Sequence, residues 1–199
     1  DVLVKNRYQQ IWAYTDEGEL LWTARNPGGF LTAHQPRPMD LDGDGRDEIM
    51  AGYALLNADG SVRWTAAGQT GTPLGGHLDC ARLLRTGPEA EDQRIAITCC
   101  SGNTVAFLDR REDGMQVTGE HFESLDVGRF FPEVPGAQCV IDIDHQAPGK
   151  SPIVVFDRDG GLLARITTPY SRHHCLLDWD GDGADAIPVG GNQAIYHHS

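Results

Sequence analysis

Apolar runs alternate with tight polar turns along most of the chain, and one such pattern recurs four times. Each copy has a short apolar run, a polar turn that ends in glycine, and a second apolar run. The copies occupy Ile11–Trp22, Ala54–Trp64, Val105–Val117 and Ile153–Ala164, with turn glycines at Gly18, Gly60, Gly114 and Gly160. Since glycine accepts positive φ and Asp or Asn bonds the turn backbone, each copy predicts a β-hairpin.

Further strand-like segments precede these hairpins. Glu48–Tyr53 and Arg94–Cys99 come directly before the second and third hairpins. The first strand of each repeat is predicted at Gln35–Leu41, His77–Leu84, Gln138–Ile143 and His174–Trp179. Four short antiparallel strands per repeat are typical of a propeller blade, and the turn glycines recur about every 47 residues, within the range for blades. We therefore predict an all-β chain that forms a β-propeller, with a β-sandwich of irregular strands as the alternative.

The repeat also predicts the domain organisation. We expect residues 1–199 to form one β-propeller domain or a propeller fragment of about four blades. The repeat units are approximately 1–26, 30–68, 76–122, 134–168 and 173–199. Because the chain opens and closes inside a unit, either its partial ends close on each other or it is a piece of a larger ring, completed by the missing remainder or by a homo-oligomer.

The net charge of the chain limits the classes of binding partner that we expect. A formal net charge of −13 argues against nucleic acid and against an anionic membrane surface. It is compatible with divalent cations, because much of the acid is clustered. No apolar run approaches the roughly 20 residues that span a bilayer. The start of the chain lacks the basic and apolar regions of a signal peptide, so we expect it to begin after processing or inside a larger protein.

The acidic cluster at Asp40–Glu48 predicts a calcium loop. Its ligands would be the carboxylates of Asp40, Asp42, Asp44 and Glu48 and the backbone carbonyl of Arg46. The glycines between the aspartates let the backbone curl around one hard cation. An EF-hand places its last glutamate at position 12, whereas here the glutamate is at position 9 and a strand follows. The loop is therefore predicted to join two strands; an acidic surface turn is the alternative.

A second copy of this loop is imperfect. It keeps the three aspartates, but its ninth position is Ala186, so Asp185 or water would have to supply the missing oxygen. The predicted ligands are Asp178, Asp180, Asp182 and the carbonyl of Ala184. The corresponding stretch Ile141–His145 is degenerate. We expect these ions to join strands structurally, because so many protein oxygens leave little room for substrate.

Three histidines recur at equivalent positions of the repeat. His34, His77 and His174 lie just before or at the predicted first strands, with His173 as an alternative to His174. In a propeller this position faces one mouth of the central channel. A single histidine is more often structural, but blade packing does not require imidazole at three equivalent positions. The remaining histidines are expected in loops or the tail.

Five phrases of the sequence form an ordered set: Leu3–Tyr8, Met39–Ile49, Gly76–Ala81, Val127–Gly136 and Asp178–Gly183. This set resembles rhamnogalacturonan-lyase-type proteins, which are secreted, calcium-containing propeller polysaccharide lyases and their relatives. The five phrases span nearly the whole chain. The aspartate loops alone occur in many calcium propellers, so the ordered set carries the resemblance. Two departures are Ala186, where an acid is expected, and a length too short for a full ring.

The resemblance implies β-elimination at a uronic acid of an acidic polysaccharide, next to rhamnose, by a secreted or periplasmic protein that binds Ca²⁺. This chemistry needs a base, an acid, and a cation or basic group at the carboxylate. His34 and His77 are the candidates for base and acid, with His174 as a third catalytic candidate, because imidazole titrates near neutral pH. Arg37 or Arg82 is the candidate to bind the carboxylate. The alternatives are salt bridges for these arginines, a non-catalytic carbohydrate- or protein-binding module, and a glycoside hydrolase on the same scaffold.

Overall fold

A computed structural model describes residues 1–66, 76–89, 92–99, 102–109, 115–144, 146–147, 149–169, 174–190 and 194–197. Within these ranges the chain consists of antiparallel sheets and one short 3-10 helix at Pro27–Gly29, with no α-helix. No helix in this part of the chain is long and apolar enough to cross a membrane. The prediction of an all-β chain is confirmed.

The strands of the described residues form five sheets in chain order, which we name A to E. Sheet A contains β1 (Val2–Lys5), β2 (Gln10–Tyr14) and β3 (Leu20–Arg25), and sheet B contains β4 (Thr32–Met39), β5 (Glu48–Gly52), β6 (Ala54–Leu56) and β7 (Val62–Thr65). Sheet C contains β8 (Leu78–Arg85), β9 (Arg94–Cys99), β10 (Thr104–Asp109) and β11 (Met115–Thr118). Sheet D contains β12 (His121–Gly128), β13 (Gln138–Asp144), β14 (Ile153–Phe156) and β15 (Leu162–Ile166). Sheet E contains β16 (Ile187–Val189) and β17 (Ala194–Tyr196). In every sheet, strands that are consecutive in sequence pair with each other.

The predicted hairpins are present in sheets A, B and D. Their turns contain Gly18, Gly60 and Gly160, with φ of 86°, 83° and 89°. In each hairpin the register shifts by one residue beside the turn, as it does when an extra residue is accommodated in one strand. The third predicted hairpin pairs β10 with β11, but its turn glycine, Gly114, lies outside the described residues.

In the part of the chain that the structure describes, the core consists of four apolar layers, each between two consecutive sheets. Alternate residues of a strand point to opposite faces, so the central strands contribute to two layers at once. Ile49 packs toward sheet A while its neighbour Met50 packs toward sheet C. Likewise, Ile141 packs toward sheet C and Val140 toward sheet E. This two-sided burial explains why the central strands are continuously apolar rather than alternating.

Sheet D differs from its prediction. The sequence placed Gln138–Ile143 as the first strand of its unit and His121 in a loop. In the structure β12, which begins at His121, precedes that segment, and Gln138–Asp144 is the second strand. The preceding sheet ends at Thr118, so the predicted boundary between the units 76–122 and 134–168 falls inside sheet D. A connection of nine residues separates β12 from β13, and it displaces the strand from the repeat spacing.

The predicted first strand at His174–Trp179 is also different. This segment makes two isolated bridges, His174 with Val189 and Leu177 with Ala186, rather than a continuous ladder. Leu177 and Trp179 are 45% and 59% exposed. The segment therefore follows the edge of sheet E without forming a named strand among the described residues.

Trp22 joins sheet A to the hairpin turn of sheet B. Its Nε1 donates to the carbonyl of Ala58 at 2.9 Å, and its ring covers Gly60. A Cβ added at Gly60 would lie 2.5 Å from Trp22 Cδ2. Trp22 therefore packs against the hairpin turn of the next sheet.

Gly60→Ala and Gly18→Ala form a matched pair that measures this contact. Both glycines have positive φ in equivalent turns, but a Cβ at Gly18 meets nothing within 4 Å. We expect Gly18→Ala to lower the free energy of unfolding by about 1 to 2 kcal/mol, the cost of a left-handed alanine. Gly60→Ala should lower it further because Trp22 must move. Urea unfolding measures both, and equal losses would show that the Trp22 contact is unimportant.

Candidate functional site

The first strands of sheets B, C and D lie side by side, β4 against β8 and β8 against β12. Each carries a break in its ladder with the second strand of its sheet. The breaks lie between Thr32 and Arg37, between Leu78 and Cys80, and between Phe122 and Leu125. His34, Asp79 and Glu123 fall inside these breaks. β-bulges re-aim side chains, and here all three side chains line one cleft of about 230 Å³.

Tyr8 holds the two sequence-predicted histidines together. Its Oη lies 2.9 Å from His34 Nε2, in a hydrogen bond whose donor depends on the tautomer. Its ring stacks on His77 with centroids 4.2 Å apart, and the rings of His34 and His77 meet edge to face at 4.7 Å. His34 and His77 are therefore brought together as the repeat predicted. Tyr8 belongs to the Leu3–Tyr8 phrase, but its position beside the histidines was not predicted.

The surroundings of His77 favour its neutral form. Burial is the main reason that the pKa of His77 lies below its ordinary value, and positive charge on His34 and Lys5 lowers that pKa further. Glu123 acts in the opposite direction. Lys5 is fixed nearby, because its Nζ donates to the carbonyls of Ala33 and Arg7 at 2.7 and 2.6 Å. A neutral imidazole at neutral pH can accept a proton from a substrate.

Two carboxylates and a further histidine lie near His34 and His77 on the first strands of sheets C and D. Asp79 Oδ1 lies 3.2 Å from His77 Nε2, and the Asp79 side chain is almost fully buried. His121 Nε2 lies 3.0 Å from Glu123 Oε2. Ligand atoms of His34, His77 and Asp79 lie within 4.8 Å of one another, and so do those of Asp79, His121 and Glu123. The sequence analysis missed Asp79, His121 and Glu123. The spacing His-x-Asp at residues 77–79 and His-x-Glu at 121–123 is the signal that could have found them.

Arg37 and Arg82 line a second cleft on the same three strands. This cleft, of about 440 Å³, also contains Asp126. Arg37, Arg82 and Asp126 each lie three residues beyond the corresponding residue of the first cleft, roughly 10 Å along a strand. Arg82 Nη2 lies 3.3 Å from Asp126 Oδ1, and Nη1 donates to Cys80 Sγ and to the carbonyl of Ala81. The structure therefore brings the two predicted arginines together, with Arg82 already paired to a carboxylate.

His174 does not join His34 and His77. Its side chain is 0% exposed, with Nε2 3.3 Å from the carbonyl of Val140 and Nδ1 3.9 Å from Asp142 Oδ1. A polysaccharide cannot reach a ring that is fully buried, so this placement does not suit the catalytic role expected for His174. The alternative residue, His173, lies outside the described residues, as do His145 and His198.

Asp142, beside His174, is a buried carboxyl group. Its Oδ1 accepts hydrogen bonds from the backbone N and the Oγ of Ser124, at 2.7 and 2.5 Å. Burial raises the pKa of the Asp142 carboxyl above its ordinary value, although the Ser124 hydrogen bonds and the nearby His174 oppose that shift. Ser124 also lines the first cleft.

The first aspartate loop, between β4 and β5, has the tight curl that was predicted. Gly43 and Gly45 have φ of 77° and 85°, and their N–H groups donate to the two carboxylate oxygens of Asp40. Ligand oxygens of Asp40, Asp42 and Glu48 lie within 4.8 Å of one another. Asp44 lies outside that set and accepts a hydrogen bond from the Arg46 N–H.

Arg63, on β7, contacts this loop. Its guanidinium donates to Asp42 Oδ2 at 2.7 Å and lies 2.6 Å from Glu48 Oε1. Burial raises the pKa of Glu48 above its ordinary value, while the hydrogen bond from Leu41 N–H and the charge of Arg63 oppose that shift. These oxygens suit a hard cation, and Arg63 provides positive charge at the same carboxylates.

The second aspartate loop repeats the geometry of the first. Gly181 and Gly183 have φ of 78° and 85° and donate to Asp178, and the Ala184 N–H donates to Asp182. Ligand atoms of Asp178, Asp180 and Asp182 lie within 4.8 Å of one another, and all three residues are exposed. Asp185 Oδ2 accepts from the Arg129 N–H at 2.6 Å, so its carboxylate contacts the connection that follows β12.

Three solved structures share this fold. A Bacillus licheniformis rhamnogalacturonan lyase, PL11, matches 96% of the chain with a TM-score of 0.61 and 19% identity. The exotype rhamnogalacturonan lyase YesX matches 96% with a TM-score of 0.59, and the rhamnogalacturonan lyase YesW matches 97% with a TM-score of 0.55, both at 16% identity. The resemblance predicted from the sequence is confirmed at the level of the fold.

The matches cover only part of each solved lyase. The chain spans 34% to 36% of the length of these lyases, about a third. No protein-family model and no curated protein matches the chain.

The raised pKa of Asp142 predicts a pH effect on stability. A carboxyl whose pKa is higher in the folded state stabilises that state fully below its unfolded pKa, about 3.9, and the contribution is lost as pH rises through the folded pKa. Asp142→Asn keeps an acceptor for Ser124 but cannot ionise. Its melting temperature should therefore fall less than that of the parent as the pH rises from about 4. The exposed Glu133→Gln is the control and should keep the parent's pH dependence.

Proposed function

We propose that this chain is part of a secreted or periplasmic, calcium-stabilised β-propeller that acts on acidic polysaccharide, by β-elimination at a uronic acid next to rhamnose. The observation that carries the proposal is the cluster of Tyr8, His34, His77 and Asp79 at a cleft, in a fold shared with three rhamnogalacturonan lyases. The acidic polysaccharide would be met outside the cytoplasm, which motivates the proposed location.

A propeller arrangement accounts for the order of the sheets. Consecutive sheets pack face to face, and the first strands of sheets B, C and D are neighbours, as the inner strands of adjacent blades would be. Sheets A and E, which have three and two strands among the described residues, would then be partial blades. The chain's coverage of about a third of the lyases is consistent with a piece of a larger ring.

The proposed chemistry uses the two imidazoles as proton carriers. Neutral His77 accepts the proton on the carbon beside the uronate carboxylate. The electron pair of that C–H bond forms the new carbon–carbon double bond as the bond to the leaving oxygen breaks, and that oxygen takes a proton. His34 is placed to supply it, because it lies against His77 and is hydrogen-bonded to the Tyr8 hydroxyl. The product is an unsaturated uronate.

The arginine cleft provides a proposed site for the substrate carboxylate. Guanidinium groups bind carboxylates with two parallel hydrogen bonds, and Arg37 is available on the same strand as His34. Arg82 would bind a sugar carboxylate only in exchange for Asp126. We therefore assign the stronger contact to Arg37.

Calcium in the two aspartate loops is the proposed stabilising ion. In the first loop, Asp40, Asp42, Asp44, Glu48 and the Arg46 carbonyl would bind it, and in the second, Asp178, Asp180, Asp182 and the Ala184 carbonyl would do so. The donors are hard oxygens on a curled backbone, which is the set that Ca²⁺ prefers. In the first loop an ion would tie β4 to β5, and in the second it would tie the segment at Leu177 to Ala186.

A non-catalytic carbohydrate-binding module is the competing function. The observation that favours it is the length of the chain, since groups needed for turnover can lie in the two thirds of the lyases that the chain does not match. A glycoside hydrolase on the same scaffold would use the same clefts.

Incubation with rhamnogalacturonan separates these functions. A lyase generates the ultraviolet absorbance of unsaturated uronates, whereas a hydrolase releases reducing ends without that absorbance. A binding module forms no product, and its migration is only slowed in affinity electrophoresis on a gel that contains the polysaccharide. We expect unsaturated product, and we expect His77→Gln to reduce its rate by about 10²- to 10⁴-fold, the contribution of a general base. The exposed His197→Gln is the control and should leave the rate unchanged. Reducing ends or retardation alone would contradict the lyase proposal.

Chelator tests the calcium proposal independently of activity. An ion that binds only the folded state at 100 times its dissociation constant stabilises it by about 2.7 kcal/mol, so removing calcium should lower the melting temperature by several degrees. Asp42→Ala should reduce the chelator-induced shift, leaving only the second loop's contribution. Asp16→Ala, outside both loops, should keep the full shift. A melting temperature insensitive to chelator, with no metal found in the protein, would rule out calcium in these loops.

A further inference from the structure

His174, which the proposed chemistry does not use, lies behind β12 and β13. Its backbone forms a bridge with Val189 on β16, and its side chain is fully buried. Its Nε2 lies 3.3 Å from the carbonyl oxygen of Val140, which can only accept a hydrogen bond, so Nε2 carries a hydrogen. Asp126 is paired with Val140 in the β12–β13 ladder. The Nε2 hydrogen is therefore close to the Asp126 carboxylate as well.

The Asp126 carboxylate lies between two donors and is tightly bound by neither. Its Oδ1 is 3.3 Å from Nη2 of Arg82, at the long end of a hydrogen bond, and its Oδ2 is 4.0 Å from Nε2 of His174. A movement of about 1 Å toward His174 would bring Oδ2 into hydrogen-bond range. Such a movement takes the carboxylate out of the second cleft, because His174 is buried behind the strands and Asp126 lines the cleft.

Arg82 would stay in place if Asp126 moved. Its Nη1 donates to Sγ of Cys80 at 2.8 Å and to the carbonyl of Ala81 at 2.9 Å, and neither bond involves Asp126. The atom that would be released is Nη2, which contacts Asp126. Arg37 lines the same cleft. A fixed guanidinium with one released donor, beside a second arginine, suits an incoming carboxylate.

We propose that Asp126 is a positioning residue, which moves from Arg82 to His174 when a uronate carboxylate enters the second cleft. This inference rests on the proposed function, because it takes an acidic sugar as the ligand. The substrate carboxylate replaces that of Asp126 at Arg82, and the hydrogen on His174 Nε2 binds Asp126. A half-buried carboxylate that loses its donor is costly, so the donor at His174 lowers the cost of the exchange.

The exchange has a consequence for specificity. A neutral sugar carries no charge that can replace Asp126 at Arg82, so the Arg82–Asp126 pair stays closed to it. An acidic sugar restores the ion pair of Arg82 while Asp126 gains a hydrogen bond from His174. The second cleft should therefore select sugars with a carboxylate over neutral sugars of the same shape.

Unfolding in the absence of substrate tests whether Asp126 has two alternative partners. In Arg82→Gln, Asp126 can still bind His174, and in His174→Asn it can still bind Arg82. The double variant leaves the carboxylate with neither donor, so its melting temperature should fall by about 2 to 4 °C more than the sum of the two single losses. With Asp126→Asn added to each chain, the losses should become additive. His174→Gln is the matched control: its longer amide reaches the position of Nε2, so its loss should add to that of Arg82→Gln.

Calorimetric binding of a rhamnogalacturonan oligosaccharide tests the use of the exchange, with His77→Gln in every chain to prevent turnover. Asp126→Asn should tighten binding by about 2- to 5-fold, the range that one partly exposed ion pair is worth. With Arg82→Gln also present, Asp126→Asn should give no gain, because Arg82 is the group that it releases. An oligosaccharide whose carboxyl groups have been reduced to alcohols should show no gain either. These variants leave His174 unchanged, so they decide the matter if His174→Asn fails to fold.

Additive losses in Arg82→Gln and His174→Asn would overturn the proposal, as would an equal gain in affinity from Asp126→Asn with and without Arg82. Neither result depends on turnover, so both are separate from the lyase assay. Unsaturated product together with additive losses would reject the exchange and keep the lyase proposal. Coupled losses and an Arg82-dependent gain in affinity, without unsaturated product, would keep the exchange and reject the lyase proposal.

Discussion

The two-sided burial of the central strands is the constraint on which the rest of the structure depends. A strand such as β9 buries Ile95 and Ile97 against sheet B and Ala96 against sheet D, so sheet C is incomplete without a neighbour on each face. Burial contributes about 25 cal/mol per Å² of apolar surface, and each layer gains it only if consecutive sheets stay in contact. This stacking places β4, β8 and β12 side by side, and the three bulges on them then point His34, Asp79 and Glu123 into one cleft.

Much of the fold follows from local sequence. The hairpin turns of sheets A, B and D contain glycines with the positive φ that these turns require. The observed bounds of β9 match the predicted bounds. β12 was missed for a physical reason. Its bulge between Phe122 and Leu125 places two consecutive polar residues in the strand, and the long connection after Gly128 removes it from the repeat spacing. A prediction based on alternating apolar and polar residues and on the repeat spacing cannot detect a strand that departs from both.

The site was predictable only in part. The recurrence of histidine before the first strands was enough to expect His34 and His77 together, because equivalent positions of a repeat become neighbours when the units pack. It misled for His174, because the His174 side chain near sheet E is buried against Val140 and Asp142. Tyr8, Asp79, His121 and Glu123 join the site through bulges and contacts between sheets, and single-strand patterns carry no information about these. The aspartate loops, in contrast, are local turns, and their hydrogen bonds to Asp40 and Asp178 follow the glycine spacing.

The contact of Trp22 with the next hairpin turn has a consequence for how the chain assembles. Trp22, in the last strand of sheet A, can contact Ala58 and Gly60 only once sheet B has formed. Each apolar layer likewise joins only sheets that are adjacent in sequence. Contacts of this kind let structure spread from one sheet to the next, as in linear repeat arrays. A chain emerging from the ribosome can therefore fold in the order in which it is made, with each new sheet completing the hydrophobic surface left by the one before.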